Sequence, residues 1–139
     1  MKRAGIYALA IALTLGLGVV AAQAKPNKVK VNTEVEIDGF DSSSDPPNVT
    51  FFGDVDARKA KCERKRKVSL EQVSEGIDAG SDKTDSEGDW EVTFDGNDVP
   101  PGDFQATVKK RRIKEKQDGK VKKIFICKKG VSPVFSVKP

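Results

Sequence analysis

Between Thr84 and Val108 the chain reads Thr-Asp-Ser-Glu-Gly-Asp-Trp-Glu-Val, then a polar gap, then Pro-Pro-Gly-Asp-Phe-Gln-Ala-Thr-Val. Asp85-Ser86-Glu87-Gly88 has the composition of a tight turn, with Gly88 able to take the positive φ such turns need. Trp90, Val92 and Phe94 alternate with Glu91 and Thr93, which predicts a strand over Trp90–Phe94 with one buried face. Pro100-Pro101-Gly102 ends the following loop, and Phe104 opens another strand. Turns this closely spaced leave no length for a helix. No other segment carries a helical period, so the chain is restricted to an all-β architecture.

The remaining segments agree. Val29, Val31, Thr33, Val35 and Ile37 alternate with Lys30, Asn32, Glu34 and Glu36, a strand with one buried face. Residues 38–47, rich in Ser, Asp and Pro, read as a loop. A strand is expected over Val49–Val55, with Gly53 as a bulge or close-approach point. Others are expected over Val68–Val73, Ser81–Thr84, Phe104–Ile113, Val121–Cys127 and Val134–Val137. Asp118-Gly119 is a hairpin signal, because Asp-Gly suits a type I′ turn. The expected organisation is a leader over residues 1–24, an N-terminal strand and Ser/Pro loop over 25–48, and a sandwich domain over 49–139.

The leader reads as a secretory signal peptide. Lys2 and Arg3 precede an apolar run from Ile6 to Val20, and Ala22-Gln23-Ala24 offers small residues for cleavage after Ala24. The run is short for a bilayer span of about 20 residues, and no second run follows, so no membrane span is expected after cleavage. Removing Lys2 and Arg3 lowers the formal net charge from +4 to +2. The expected location is extracellular, periplasmic or at the cell surface. In an oxidising compartment, an even cysteine count makes a Cys62–Cys127 disulfide the default, against a free thiol or a metal ligand. Closing so long a loop is worth about 4 kcal/mol in the chain-entropy picture.

Thr84, Asp85, Gly88 and Trp90, followed by Pro101, Gly102 and Phe104, resemble the corresponding residues of carboxypeptidase regulatory-like and transthyretin-like (prealbumin-like) modules. The order Cys62, then Arg66-Lys67-Val68-Ser69-Leu70, looks like short secreted bacterial proteins of that architecture. The resemblance covers about Thr50 to Val137. It implies an antiparallel Greek-key sandwich of seven to eight strands that contacts other molecules and catalyses nothing. The charged hairpin Lys109–Lys123 and the N-terminal strand depart from that pattern.

Composition removes several chemistries. The chain has no His, and its one Tyr, Tyr7, lies in the leader. Ser-His-Asp and Cys-His nucleophiles are therefore excluded, as are the His-dependent and His/Tyr-iron enzymes of related folds. No catalytic residue and no cofactor are expected. The acids Asp82, Asp85, Glu87 and Asp89 form the metal candidate. Their spacing fails the EF-hand pattern, which needs Gly where Trp90 stands and Glu where Gly96 stands, so a turn bonding its own backbone is preferred.

The candidate binding surface is basic. Lys109, Lys110, Arg111, Arg112, Lys114 and Lys116 lie on one arm of the charged hairpin, and Lys120, Lys122 and Lys123 on the other. A projecting ribbon of this kind would suit a polyanion. It lacks the aromatics that stack bases, so sequence-specific nucleic-acid binding is not expected. The competing reading is an edge ribbon kept soluble by Lys. Trp90, on one face with Val92 and Phe94, reads as core and not as a sugar platform. The function expected is a secreted, non-catalytic structural or interaction module, its partner a protein or an envelope polysaccharide or polyanion. The alternative is a carbohydrate- or polyanion-binding protein that uses the hairpin 109–123.

Overall fold

The structure, a computed structural model, describes residues 24–96 and 100–139. The leader 1–23 lies outside the described residues. Eleven strands form among those described: β1 Asn27–Val31, β2 Glu34–Ser44, β3 Pro47–Asp56, β4 Lys67–Gln72, β5 Ile77–Lys83, β6 Asp89–Asp95, β7 Gly102–Val108, β8 Arg111–Gln117, β9 Lys120–Cys127, β10 Gly130–Val131 and β11 Phe135–Val137. One 3-10 turn, Ala60–Cys62, joins β3 to β4. The chain is all-β, as its periodicities require.

Two antiparallel sheets enclose the main core. One is β2-β3-β6; the other runs β10-β7-β4-β5, with β11 also on β7. Their inner faces meet around Phe51, Trp90, Phe104, Leu70, Val49 and Val108, all at most 1 % exposed. Phe51 is the centre: its ring lies 4.6 Å from Phe104, 5.6 Å from Phe40, 6.0 Å from Phe94 and 6.1 Å from Phe135. Few aromatics therefore serve a whole core because they are gathered at one point, each pair adding about 0.5–1.5 kcal/mol beyond area burial. Trp90 is a core residue, 1 % exposed, and offers no sugar platform.

Gly53 permits the closest approach. A Cβ there would stand 2.1 Å from the Glu36 carbonyl oxygen and 2.8 Å from Cζ2 of Trp90. The bulge lies instead on the partner strand, where the register shifts between Ile37 and Gly39 and leaves Asp38 unopposed.

The structure departs from the expected layout in several places. Eleven strands stand among the described residues where seven to eight are expected. The single strand expected over Val29–Ile37 breaks at Asn32-Thr33 into β1 and β2 of different sheets, and β5 begins at Ile77, ahead of the expected Ser81. The Ser/Pro stretch is not a loop: β2 continues to Ser44 and pairs antiparallel with β3 from Ser44↔Pro47 onward. Residues 25–48 are thus built into the sheets and do not precede them. The strand expected over Phe104–Ile113 breaks at Lys109-Lys110 into β7 and β8, which belong to different sheets. And not every pairing is antiparallel, for β1 lies parallel to β9.

That parallel pair belongs to a third sheet, β1-β9-β8. It has its own small core of Val31, Cys62, Phe125 and Cys127, with Val29, Ala57 and Ile113 against it. The Cys62–Cys127 disulfide is formed, with the Cα atoms 5.4 Å apart. It ties the β3–β4 connection to the end of β9.

Candidate functional site

The third sheet carries the basic hairpin. Asp118 and Gly119 have φ of 51° and 73°, the pair of positive angles a type I′ turn demands, and β8 and β9 pair across them. Cross-strand partners share a face. Lys28, Ile124 and Lys114 form one row, and Lys30, Ile126 and Arg112 the next. Lys122 is the extra residue at the register shift between Glu115 and Lys116 and opposes no residue of β8. Lys28, Lys30, Arg112 and Lys114 are exposed and no carboxylate shares these rows. Strand spacing separates β1 from β8 by about 10 Å, and the rows lie about 7 Å apart.

The opposite face of the sheet is closed by the β3–β4 connection. Lys61 bonds Glu115 at 2.5 Å and sits 4.1 Å over the Phe125 ring. The bond and the charge of Lys61 hold the Glu115 carboxyl below its ordinary range. Arg111 donates to the carbonyls of Arg64 at 3.2 Å and Lys65 at 2.9 Å. Lys65 adopts φ 53°, a left-handed conformation costing about 1–2 kcal/mol without Gly. Lys61, Arg64, Lys65, Arg111 and Ile113 line a concavity of ≈ 330 Å³.

The nine predicted hairpin cations therefore do not act as one patch. Arg112 and Lys114 occupy the open face, and Lys122 stands at the register shift beside them. Arg111 and Lys123 lie on the closed one, where Lys123 opposes Glu115. Lys116 and Lys120 stand at the tip, beyond a register shift at Glu115. Lys109 and Lys110 precede the hairpin, in the turn between sheets. Lys28 and Lys30 join instead. Alternation places Lys30 on an N-terminal strand and leaves Lys28 just before it, and it has no means of finding that strand's neighbour.

Arg66 explains why the chain leaves β7 where it does. Its side chain is 1 % exposed. Nη1 donates to the Cys62 carbonyl at 2.6 Å and to Thr33 Oγ1 at 3.4 Å; Nη2 donates to the carbonyls of Lys109 at 2.8 Å and Lys128 at 3.1 Å. No carboxylate pairs with it among the described residues. Burial, and then the charge of Arg111, lower its pKa from the ordinary value. Its backbone N–H donates to Thr84 Oγ1 at 2.8 Å, and that hydroxyl donates to the Glu63 carbonyl at 2.5 Å. One guanidinium thus ties the third sheet to the sandwich. The sequence shows Arg66 only as one of many cations.

The acidic candidates also redistribute. Asp85 Oδ1 accepts the amides of Glu87 at 2.8 Å, Gly88 at 2.9 Å and Asp89 at 3.1 Å, which lower its pKa. Asp82 Oδ2 accepts the Glu91 amide at 3.0 Å. Asp85 bonds the backbone of its own turn and Asp82 bonds β6 of the other sheet, and the set Asp82, Asp85, Glu87, Asp89 does not converge on a point. The carboxylates that do converge are Glu36, Asp38 and Asp54, whose oxygens lie within 4.8 Å of one another. Glu36 opposes Asp54 across β2 and β3, and Asp54 opposes Asp89 across β3 and β6. Glu34 opposes Asp56 in the next row of that face. Burial first, then Asp38, Glu36, Asp56 and Asp89, raise the pKa of Asp54 above its ordinary value.

Among the described residues no helix is long and apolar enough to cross a membrane. No protein-family model matches the chain, and no curated protein or solved structure matches it either.

Proposed function

We propose that this chain is a secreted, non-catalytic β-sandwich module of the carboxypeptidase regulatory-like or transthyretin-like kind, acting by surface contact at or outside the cell surface. The order of its sheets supports a Greek-key reading. Connections β3 to β4, β5 to β6 and β6 to β7 each cross from one sheet of the sandwich to the other. The disulfide is compatible with an oxidising compartment. A contact role is supported above all by where the charge lies: on open sheet faces, with no His in the chain to serve a nucleophile.

A second reading, binding of a polyanion, draws on one specific observation. Lys28, Lys30, Arg112 and Lys114 share an open face without an acid in its rows, at spacings that suit a linear polymer of phosphate or sulfate groups. The test is binding to heparin, lipopolysaccharide and polyphosphate across a salt titration. Binding that survives physiological salt and is lost in Arg112→Glu/Lys114→Glu supports it. Absence of binding even at low salt eliminates the polyanion and leaves a protein partner.

A further inference from the structure

Strands β1 and β2 run on through Asn32 and Thr33 without losing their alternation. Val31, Thr33 and Val35 are buried at 3 %, 9 % and 2 %, while Lys30, Asn32 and Glu34 between them are exposed. The outward row therefore reads Lys28, Lys30, Asn32, Glu34, Glu36: positive, positive, neutral, negative, negative. Its basic end continues sideways into Arg112 and Lys114 of the third sheet. Its acidic end continues into Asp54 and Asp89 of the sandwich.

These halves cannot neutralise each other within one molecule. Lys30 and Glu34 are four extended residues apart, about 13 Å, and Lys28 and Glu36 about 26 Å. Both exceed the Debye length of about 8 Å at physiological salt. None of these groups forms an ion pair among the described residues, where Lys61–Glu115 is the salt bridge present. The acidic half also sets like charges directly opposite one another, Glu36 to Asp54 and Asp54 to Asp89, an arrangement that destabilises a sheet.

We propose that this outward face is a two-fold interface with a second copy of the chain, the basic half of each copy lying on the acidic half of the other. The charge order inverts about Asn32. A two-fold axis lying in the face near that residue superimposes opposite signs twice, once for each copy. Because both patches lie on one side of the molecule, the contact closes at two copies and does not propagate into a filament. Association also relieves the cross-strand repulsion around Asp54, which gives the acidic half a reason to accept cations from outside.

This goes beyond the contact role proposed above, and its test separates the two. Two variants are prepared, Lys28→Glu/Lys30→Glu and Glu34→Lys/Glu36→Lys; all four positions are exposed, so the fold is retained. Sedimentation at about 50 mM salt should show wild type as a dimer that dissociates as salt rises toward about 1 M. Each variant alone should be monomeric, and an equal mixture should dimerise at least about tenfold more tightly than either. Reversing Lys129 and Lys138 to Glu, the same change in net charge elsewhere, should leave the wild-type dimer intact. A monomeric wild type at low salt, a mixture that stays monomeric, or association beyond two copies overturns the proposal. Glu34→Gln/Glu36→Gln removes the acidic half without adding cations and keeps the basic face, so its binding to heparin reports on the polyanion reading.

Discussion

Replacing Arg66 with Met should destabilise the protein by about 2–3 kcal/mol, the scale for leaving buried acceptors without a charged hydrogen-bond donor. Met keeps most of the aliphatic stem, so packing is nearly conserved and the guanidinium alone is removed. Four acceptors lose their donor: the carbonyls of Cys62, Lys109 and Lys128, and Thr33 Oγ1. Cys62 is fully buried, so its carbonyl bears a full desolvation cost of about 1–3 kcal/mol. The Lys109 and Lys128 carbonyls belong to exposed residues and recover part of their loss from water. Some of the cost is returned, because a buried guanidinium without a carboxylate partner is itself expensive, and its lowered pKa expresses that. Buried charges elsewhere can be exchanged for apolar groups at no loss when all partners are exchanged together. Here the partners are mostly backbone carbonyls that no substitution removes. Arg66→Lys should recover about half of the loss, since one ammonium cannot reach both pairs of acceptors. Urea denaturation of the oxidised protein gives the magnitude. Hydrogen exchange gives the location, with faster exchange expected at Val29–Val31 and Ile124–Cys127 than in the main core. An Arg66→Met protein within about 0.5 kcal/mol of wild type, or exchange that rises uniformly, would refute the view that this side chain holds the third sheet in place.

Two further outcomes follow from the same structure. Substituting Cys62 and Cys127 by Ser together should cost about 4 kcal/mol, set by the sequence separation of 65, and a thermal melt without reductant measures it. Asp54→Asn should stabilise the protein at neutral pH by about 0.2–1 kcal/mol, the scale of a cross-strand like-charge pair. The sign follows from a folded pKa raised above the unfolded one: the charged form costs stability, the penalty is absent below the ordinary carboxylate value near 3.8, and it grows as pH rises through the folded value. The gain should therefore vanish on acidification, and stability curves of both proteins from about pH 3 to 7 decide the matter.

Much of the sandwich was legible because its signals are local. Trp90, Val92 and Phe94 announce a buried face through period two, and Asp118-Gly119 announces a hairpin through its φ requirements. The misreadings differ in cause. Ser42-Ser43-Ser44 have the composition of a loop, but antiparallel pairing with β3 supplies their backbone hydrogen bonds, and pairing overrides propensity. Lys110 falls at the inward position after Phe104, Ala106 and Val108, and Ile113 resumes in the opposite phase, so the alternation breaks where the strand does. Nothing in the side chains of Lys109 and Lys110 signals that a buried arginine, distant in the chain, captures the Lys109 carbonyl.

Sequence alone determined the class of fold, the buried faces around Val31–Val35 and Trp90–Phe94, and the pair of cysteines, since each depends on residue type and near-neighbour spacing. Tertiary structure alone decided which strand lies beside which. The third sheet exists because β1 meets β9, and its basic face because that meeting sets Lys28 and Lys30 beside Lys114 and Arg112. Glu36 and Asp54 are separated in the chain and become neighbours only through the register of β2 on β3. Alternation tells which way a side chain points from its own strand. Pairing between distant strands depends on the free energy of the whole packed core, and that pairing is what turns scattered charges into faces.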